Sequence, residues 1–129
     1  MSAETITSKP ATGRRVRAAL RTEDRDGRVS LMVEIGVEPD WHVYAPGSDD
    51  GLPVSLTVPA ESALRLNDVR FPETADRHLS GTFTIEADID TLPSHGTIHL
   101  RTQACSGQTC EAPEHLLLSW ADATTKEAR

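Results

Sequence analysis

Apolar and polar residues alternate along most of this 129-residue chain. Val16, Ala18 and Leu20 alternate with mostly polar neighbours, and the stretch DRDG at 24–27 marks a turn. Val29, Leu31, Val33, Ile35 and Val37 then form the longest alternating run. A period of two over this length predicts a strand with one buried face. Glu38-Pro39-Asp40 ends it, Trp41-His42-Val43-Tyr44 reads as a short strand, and APGSDDGLP (45–53) reads as a loop. Val54, Leu56 and Val58 alternate next, and 59–62 has the composition of a single helical turn. Leu64 and Leu66, then Val69 and Phe71, predict a strand broken by a bulge. Phe83, Ile85, Ala87 and Ile89 give another strand. Ile98, Leu100, Thr102 and Ala104 lead into two cysteines, and Leu116, Leu118 and Trp120 lead out of them.

That is about eight short strands with turn signals between them, and no segment has a sustained helical period. The expected fold is all-β, an immunoglobulin-like antiparallel β-sandwich. A small barrel is the alternative. Residues 1–13 are polar and read as a flexible lead-in or linker, 14–120 as the domain, and 121–129 as a polar tail.

Charge narrows the partners. A formal net charge of −7 argues against nucleic acid and anionic membrane. No stretch approaches the roughly 20 apolar residues that span a bilayer. The first residues lack the apolar core of a signal peptide. The expectation is either a cytosolic protein or a mature domain cut from a longer precursor.

The chemistry lies in QACSGQTCEAP, residues 103–113, which holds the only two cysteines, Cys105 and Cys110. Placed on the two arms of a hairpin with SGQT as its loop, they face each other with Cα atoms roughly 4.5 to 5.5 Å apart. A disulfide tolerates that separation. As a staple it would be weak, because closing a loop of about six residues removes only ~2 kcal/mol of unfolded-state entropy. Strand alternation puts Cys105 on the polar face with Thr97, His99, Arg101 and Gln103, within reach of a partner's thiol. The residues alone leave three readings open: a structural hairpin disulfide, a redox couple and a metal clip. The spacing is not the CxxC of thioredoxin-like enzymes, and no second cysteine pair completes a zinc site.

The flanks add a resemblance. Gln103-Ala104-Cys105, four residues, then Cys110-Glu111-Ala112-Pro113 resembles the redox motif of the DsbD amino-terminal domain family, the disulfide bond corrector domains. Trp41-His42-Val43-Tyr44, Gly51-Leu52-Pro53-Val54 and Phe71-Pro72 resemble that family's other conserved steps, in the same order, over roughly residues 16 to 120. The resemblance implies an immunoglobulin-like fold and an extracytoplasmic, periplasmic site of action. It implies a protein-disulfide reductase role without a cofactor: accepting electrons from a thioredoxin-like partner and passing them to oxidised protein substrates. It implies that Cys110 is the attacking thiol and Cys105 the resolving one. Trp41, Tyr44, Phe71, Leu79 and Glu111 become candidate binding residues around the pair. The missing signal peptide points to a domain excised from a longer protein, one fused to a membrane-embedded or thioredoxin-like module, and the expected state is a monomer.

Departures from the pattern are Thr102 where the family has Tyr, and Glu111-Ala112 where it has an apolar residue and proline. The stretch ETADRHLSG (73–81), which matches the family's aromatic cap loop, has no Phe, Tyr or Trp, leaving Leu79 or His78 as stand-ins. Glu111 is expected to raise the Cys110 thiol pKa by like-charge repulsion. The alternative function is a non-catalytic immunoglobulin-like binding module braced by the same disulfide.

Other features have plainer readings. His115 with the two cysteines would make at most a three-ligand metal site, and on a strand His95 and His99 lie roughly 13 Å apart. No metal is expected. His42 is expected to face the surface or to hydrogen-bond within the sandwich. Trp41 and Tyr44 also fit core and rim packing. Ser48 to Gly51 reads as a solvated turn, and Glu86, Asp88 and Asp90 as a solvated strand face.

Overall fold

In the computed structural model, residues 7–25, 28–48, 51–59, 64–74, 77–90, 95–107 and 109–120 are described. The strands are β1 (Ala11–Thr12), β2 (Val16–Arg25), β3 (Arg28–Val37), β4 (Val43–Tyr44), β5 (Ser55–Thr57) and β6 (Leu66–Arg70). They continue as β7 (His78–Leu79), β8 (Thr82–Ile89), β9 (Gly96–Thr102), β10 (Cys105–Ser106), β11 (Thr109–Cys110) and β12 (Glu114–Trp120). One sheet has the order β1-β2-β3-β8-β6 and the other β12-β9-β5. The chain is therefore an all-β, immunoglobulin-like antiparallel sandwich, with eight strands in the two main sheets.

The alternation read from the sequence explains the layers. On β3, Leu31, Val33, Ile35 and Val37 turn inward, facing inward residues of β2 and β8 in register. From the second sheet Ile98, Leu100, Leu116, Leu118 and Trp120 join the same core cluster. The predicted bulge is present: register shifts between Asn67 and Arg70 against β8, with Asp68 at φ 54°. The helical turn read at 59–62 falls mostly outside the described residues.

The ordered sheet starts before residue 14. Ala11 and Thr12 pair with Ala18 and Arg17, and Ser8 N–H donates to the Leu20 carbonyl at 2.8 Å. Polar composition hid this edge strand because an edge needs only its backbone to pair. Residues 1–6 and 121–129 lie outside the described residues.

Two short pairings position the site. β4 pairs with β7, Val43 opposite Leu79 and Tyr44 opposite His78. β10 pairs with β11 between the end of β9 and the start of β12.

Candidate functional site

Cys105 and Cys110 are cross-strand partners and are joined as a disulfide, with Cα atoms 4.0 Å apart. Ser106 pairs with Thr109, so the ladder extends past the cysteines into SGQT. Gly107 sits at φ 60°, in the left-handed region that tight hairpin turns require and glycine enters without penalty. Cys105 N–H donates to the His42 carbonyl at 2.9 Å, and His42 N–H donates to the Cys105 carbonyl at 3.0 Å. Both main-chain groups of Cys105 thus point to β4's side. On its other side it meets Cys110 in a non-hydrogen-bonded pair, the arrangement with the closer Cα atoms.

The two cysteines differ sharply in access. Cys105 is 0% exposed and Cys110 is exposed. This corrects the expectation that Cys105 lies on an open polar face. Its physical reason is that β9 ends at Thr102. Gln103 and Ala104 step off the ladder, and β10 starts a new pairing against His42, so the alternation phase of β9 is not carried across.

Around the pair, segments far apart in sequence converge. Tyr44 makes a parallel bridge to Pro53, and its carbonyl accepts from Val54 N–H at 2.8 Å. Gln103 Oε1 accepts from Leu52 N–H at 3.2 Å, and Gln103 Nε2 donates to the Glu111 carbonyl at 3.3 Å. Glu111 N–H donates to the Ala104 carbonyl at 2.9 Å. The Trp-His-Val-Tyr, Gly-Leu-Pro-Val and Gln-Ala-Cys steps are therefore one structural unit.

Three rings pack beside it. His42 and His78 stack with centroids 4.4 Å apart and planes 5° from parallel. Tyr44 stands edge-on to both, at 5.0 Å from each, and its hydroxyl lies 3.1 Å from His42 Nε2. Leu79 does not join them. It is 2% exposed and belongs to the core, because on a strand it points opposite to His78. Tyr44 is 5% exposed, and Trp41 and Phe71 are half-buried against the core. Phe71 also lines an open groove with Ala45, Pro46 and Arg77.

Glu111 is not a lone charge. Its carboxylate accepts from Arg14 Nη1 and Arg15 Nε, each at 3.2 Å. Hydrogen bonds from Arg15 and then Arg14 hold it below the ordinary glutamate range. Arg15 also donates to Glu38 at 3.0 Å and lies over the Trp41 ring, 4.4 Å from its centroid. Glu38, then Glu111, raise the Arg15 pKa in return. The carboxylate beside Cys110 is thus answered by two guanidinium groups, and the simple like-charge expectation does not describe this site. Nothing in the spacing of residues 14, 15 and 111 announces that clamp; only the fold brings them together.

The fold and site define an immunoglobulin-like sandwich carrying a hairpin disulfide with one buried and one exposed cysteine. No protein-family model matches the sequence, and no curated protein does. Among solved structures the chain is similar to the crystal structure of the N-terminal periplasmic domain of ScsB from Proteus mirabilis. The TM-score is 0.61 at 13% identity, over 89% of this chain and 51% of that one. The chain spans about half the length of that structure, and at this identity the likeness is one of fold.

Proposed function

We propose that this chain is a thiol–disulfide interchange domain that relays electrons from a thioredoxin-like donor to oxidised proteins outside the cytoplasm. The observation that carries this reading is the asymmetry of the disulfide: Cys110 is open to a partner and Cys105 is sealed beneath it. A local brace has no need of an exposed sulfur. Relay chemistry needs one attackable sulfur and one protected resolving thiol.

The steps balance without a cofactor. A donor thiolate attacks Cys110 Sγ, the Cys105–Cys110 bond breaks, and Cys105 leaves as a thiolate that takes up a proton. The donor's second thiolate attacks its own sulfur in the mixed disulfide and frees Cys110. The donor leaves oxidised, and the domain holds two thiols, two electrons and two protons richer. In the forward half, Cys110 thiolate attacks a disulfide of the substrate protein. Cys105 then attacks Cys110, which releases the reduced substrate and restores the disulfide.

An oxidising compartment suits a chain whose two cysteines are paired. The periplasmic origin of the fold neighbour supports the same placement. In the intact protein this domain would act beside a membrane-embedded or thioredoxin-like module.

The test is the reduction potential of the Cys105–Cys110 pair, read by thiol trapping in graded dithiothreitol buffers. The expected value is less negative than about −300 mV, the range below which structural disulfides resist exchange. A Cys105→Ala variant should trap a mixed disulfide through Cys110, and a Cys110→Ala variant should trap none. A potential well below that range with no trapped partner would make the chain a non-catalytic binding module with a braced hairpin.

A further inference from the structure

The β12-β9-β5 sheet buries one face in the core and turns the other to solvent. Ser55, Arg101 and His115 form one cross-strand rung of that outer face, and Thr57, His99 and Leu117 form the next. A third rung is a Thr–Ser hydroxyl pair 3.0 Å apart. His115 and Thr57 are exposed, and Leu117 is 55% exposed. None of these positions carries a carboxylate, in a chain with 20 Asp and Glu and a net charge of −7.

On the other sheet Arg21 is paired with Glu23 and Glu34, and Arg70 with Asp68, Glu86 and Asp88, while Arg17 makes no ion pair among the described residues. Arg101 makes no ion pair among the described residues, and its Nε is shut away from solvent without a hydrogen-bond partner. The residue as a whole is half-buried, so its Nε is closed to a docked partner as well, and only the open part of the side chain is offered to one.

We infer that the outer face of β5, β9 and β12 docks an acidic surface of a partner protein, whose carboxylates pair with the open part of Arg101 while the imidazoles and hydroxyls beside it donate hydrogen bonds and Leu117 supplies apolar contact. Acid-free surface on an acidic protein selects against like-charged partners elsewhere and for them here. The face also has a direction. β9 ends at Thr102, three residues before Cys105, and β12 begins four residues after Cys110. A partner seated on it stands next to the disulfide. The acidic partner rests on the face alone; calling it a redox partner rests on the interchange reading above.

The experiment titrates the isotope-labelled oxidised chain with a Glu-rich octapeptide and follows amide shifts. Shifts centred on residues 97–101 and 115–119 are expected, and they should fade at high salt. Arg101→Gln, which keeps most of the side-chain stem, should weaken binding roughly threefold to fivefold, and Arg101→Glu should abolish it. Absence of shifts, shifts centred on Arg14 and Arg15, or equal affinity in both variants would overturn the proposal. Equal shifts with an oligothymidylate would also overturn it, by substituting a phosphate backbone for an acidic protein. Exchange of the reduced wild-type chain with neutral hydroxyethyl disulfide separates the two readings. Failure there removes the interchange function, while the peptide titration still judges the face.

Discussion

Gly51 offers a test of how the site is held together. An ideal Cβ on this residue would fall within 3.0 Å of three atoms of the Tyr44 ring, Cε2, Cδ2 and Cζ. Carbon atoms pack comfortably at about 3.5 to 4.0 Å, so Gly51→Ala requires the ring to move by about 1 Å. Tyr44 is only 5% exposed and is held by His42 through its hydroxyl and by both histidine rings at its edge. It has little room to yield. Overpacking of this kind costs about 1–3 kcal/mol. Lost unfolded-state entropy works the other way and offsets about 0.4–1 kcal/mol, because Gly51 does not have a positive φ that alanine would strain. The expected net destabilisation is about 1–2 kcal/mol.

Urea unfolding of the oxidised protein reads this directly. With a slope typical of small domains, the midpoint should fall by up to about 1 M while the slope stays unchanged. A double-mutant cycle supplies the refutation. In a Tyr44→Ala background the obstructing ring is gone, so Gly51→Ala should become neutral or mildly stabilising. If Gly51→Ala is harmless in the wild type, or costs the same in both backgrounds, the ring does not transmit the effect and the account of this cluster is wrong.

Leu100 is 0% exposed at the centre of β9, between Leu56 and Leu116, so Leu100→Ala should destabilise by about 2–5 kcal/mol in the same assay. The Glu111 clamp should show in acid: because its carboxylate is held below the ordinary range, its contribution is fully present above about pH 4 to 5 and is lost as pH falls through the lowered value. Glu111→Gln should therefore flatten the fall in stability over that window, and an unchanged slope would remove the clamp from the account. In the reduced protein, Glu111→Gln should lower the Cys110 thiol pKa by leaving Arg14 and Arg15 unanswered, and Arg15→Gln should raise it; thiol alkylation rate against pH measures both.

The sandwich was legible because its main strands bury one face each. Val29 to Val37 alternate without a break, and the same alternation reappears in their partners on β2 and β8. Legibility stopped where pairing no longer followed the chain. The alternation of β9 predicts an accessible Cys105, yet two residues off the ladder are enough to change its phase. Leu79 reads as an apolar stand-in for a cap, but a two-residue strand pairing fixes its side inward and His78's outward. Arg15, stacked on Trp41 and bonded to Glu111, lies 96 residues from the carboxylate it holds. Such a link leaves no local pattern, since its partners are chosen by tertiary approach and not by spacing.

The backbone around Cys105 bears on which sulfur does the work. Both of its main-chain hydrogen bonds go to His42, whose own strand is held by β7 on one side and by the Pro53 bridge on the other. Opening the disulfide would not free Cys105 to move without breaking that lattice. Cys110 sits on a two-residue strand, past a glycine turn, with its restraint coming from Glu111 and the Arg14–Arg15 clamp. On the interchange reading, the separation of the two sulfurs on reduction therefore falls to the Cys110 arm. On that reading the exposed thiol would be the one to swing toward a partner, and the buried one would wait in a fixed position to resolve the mixed disulfide. On the same reading the charged clamp would restrain that arm and bear on the acidity of the attacking thiol, so substitutions at Arg15 and Glu111 should shift exchange rates while leaving the core intact.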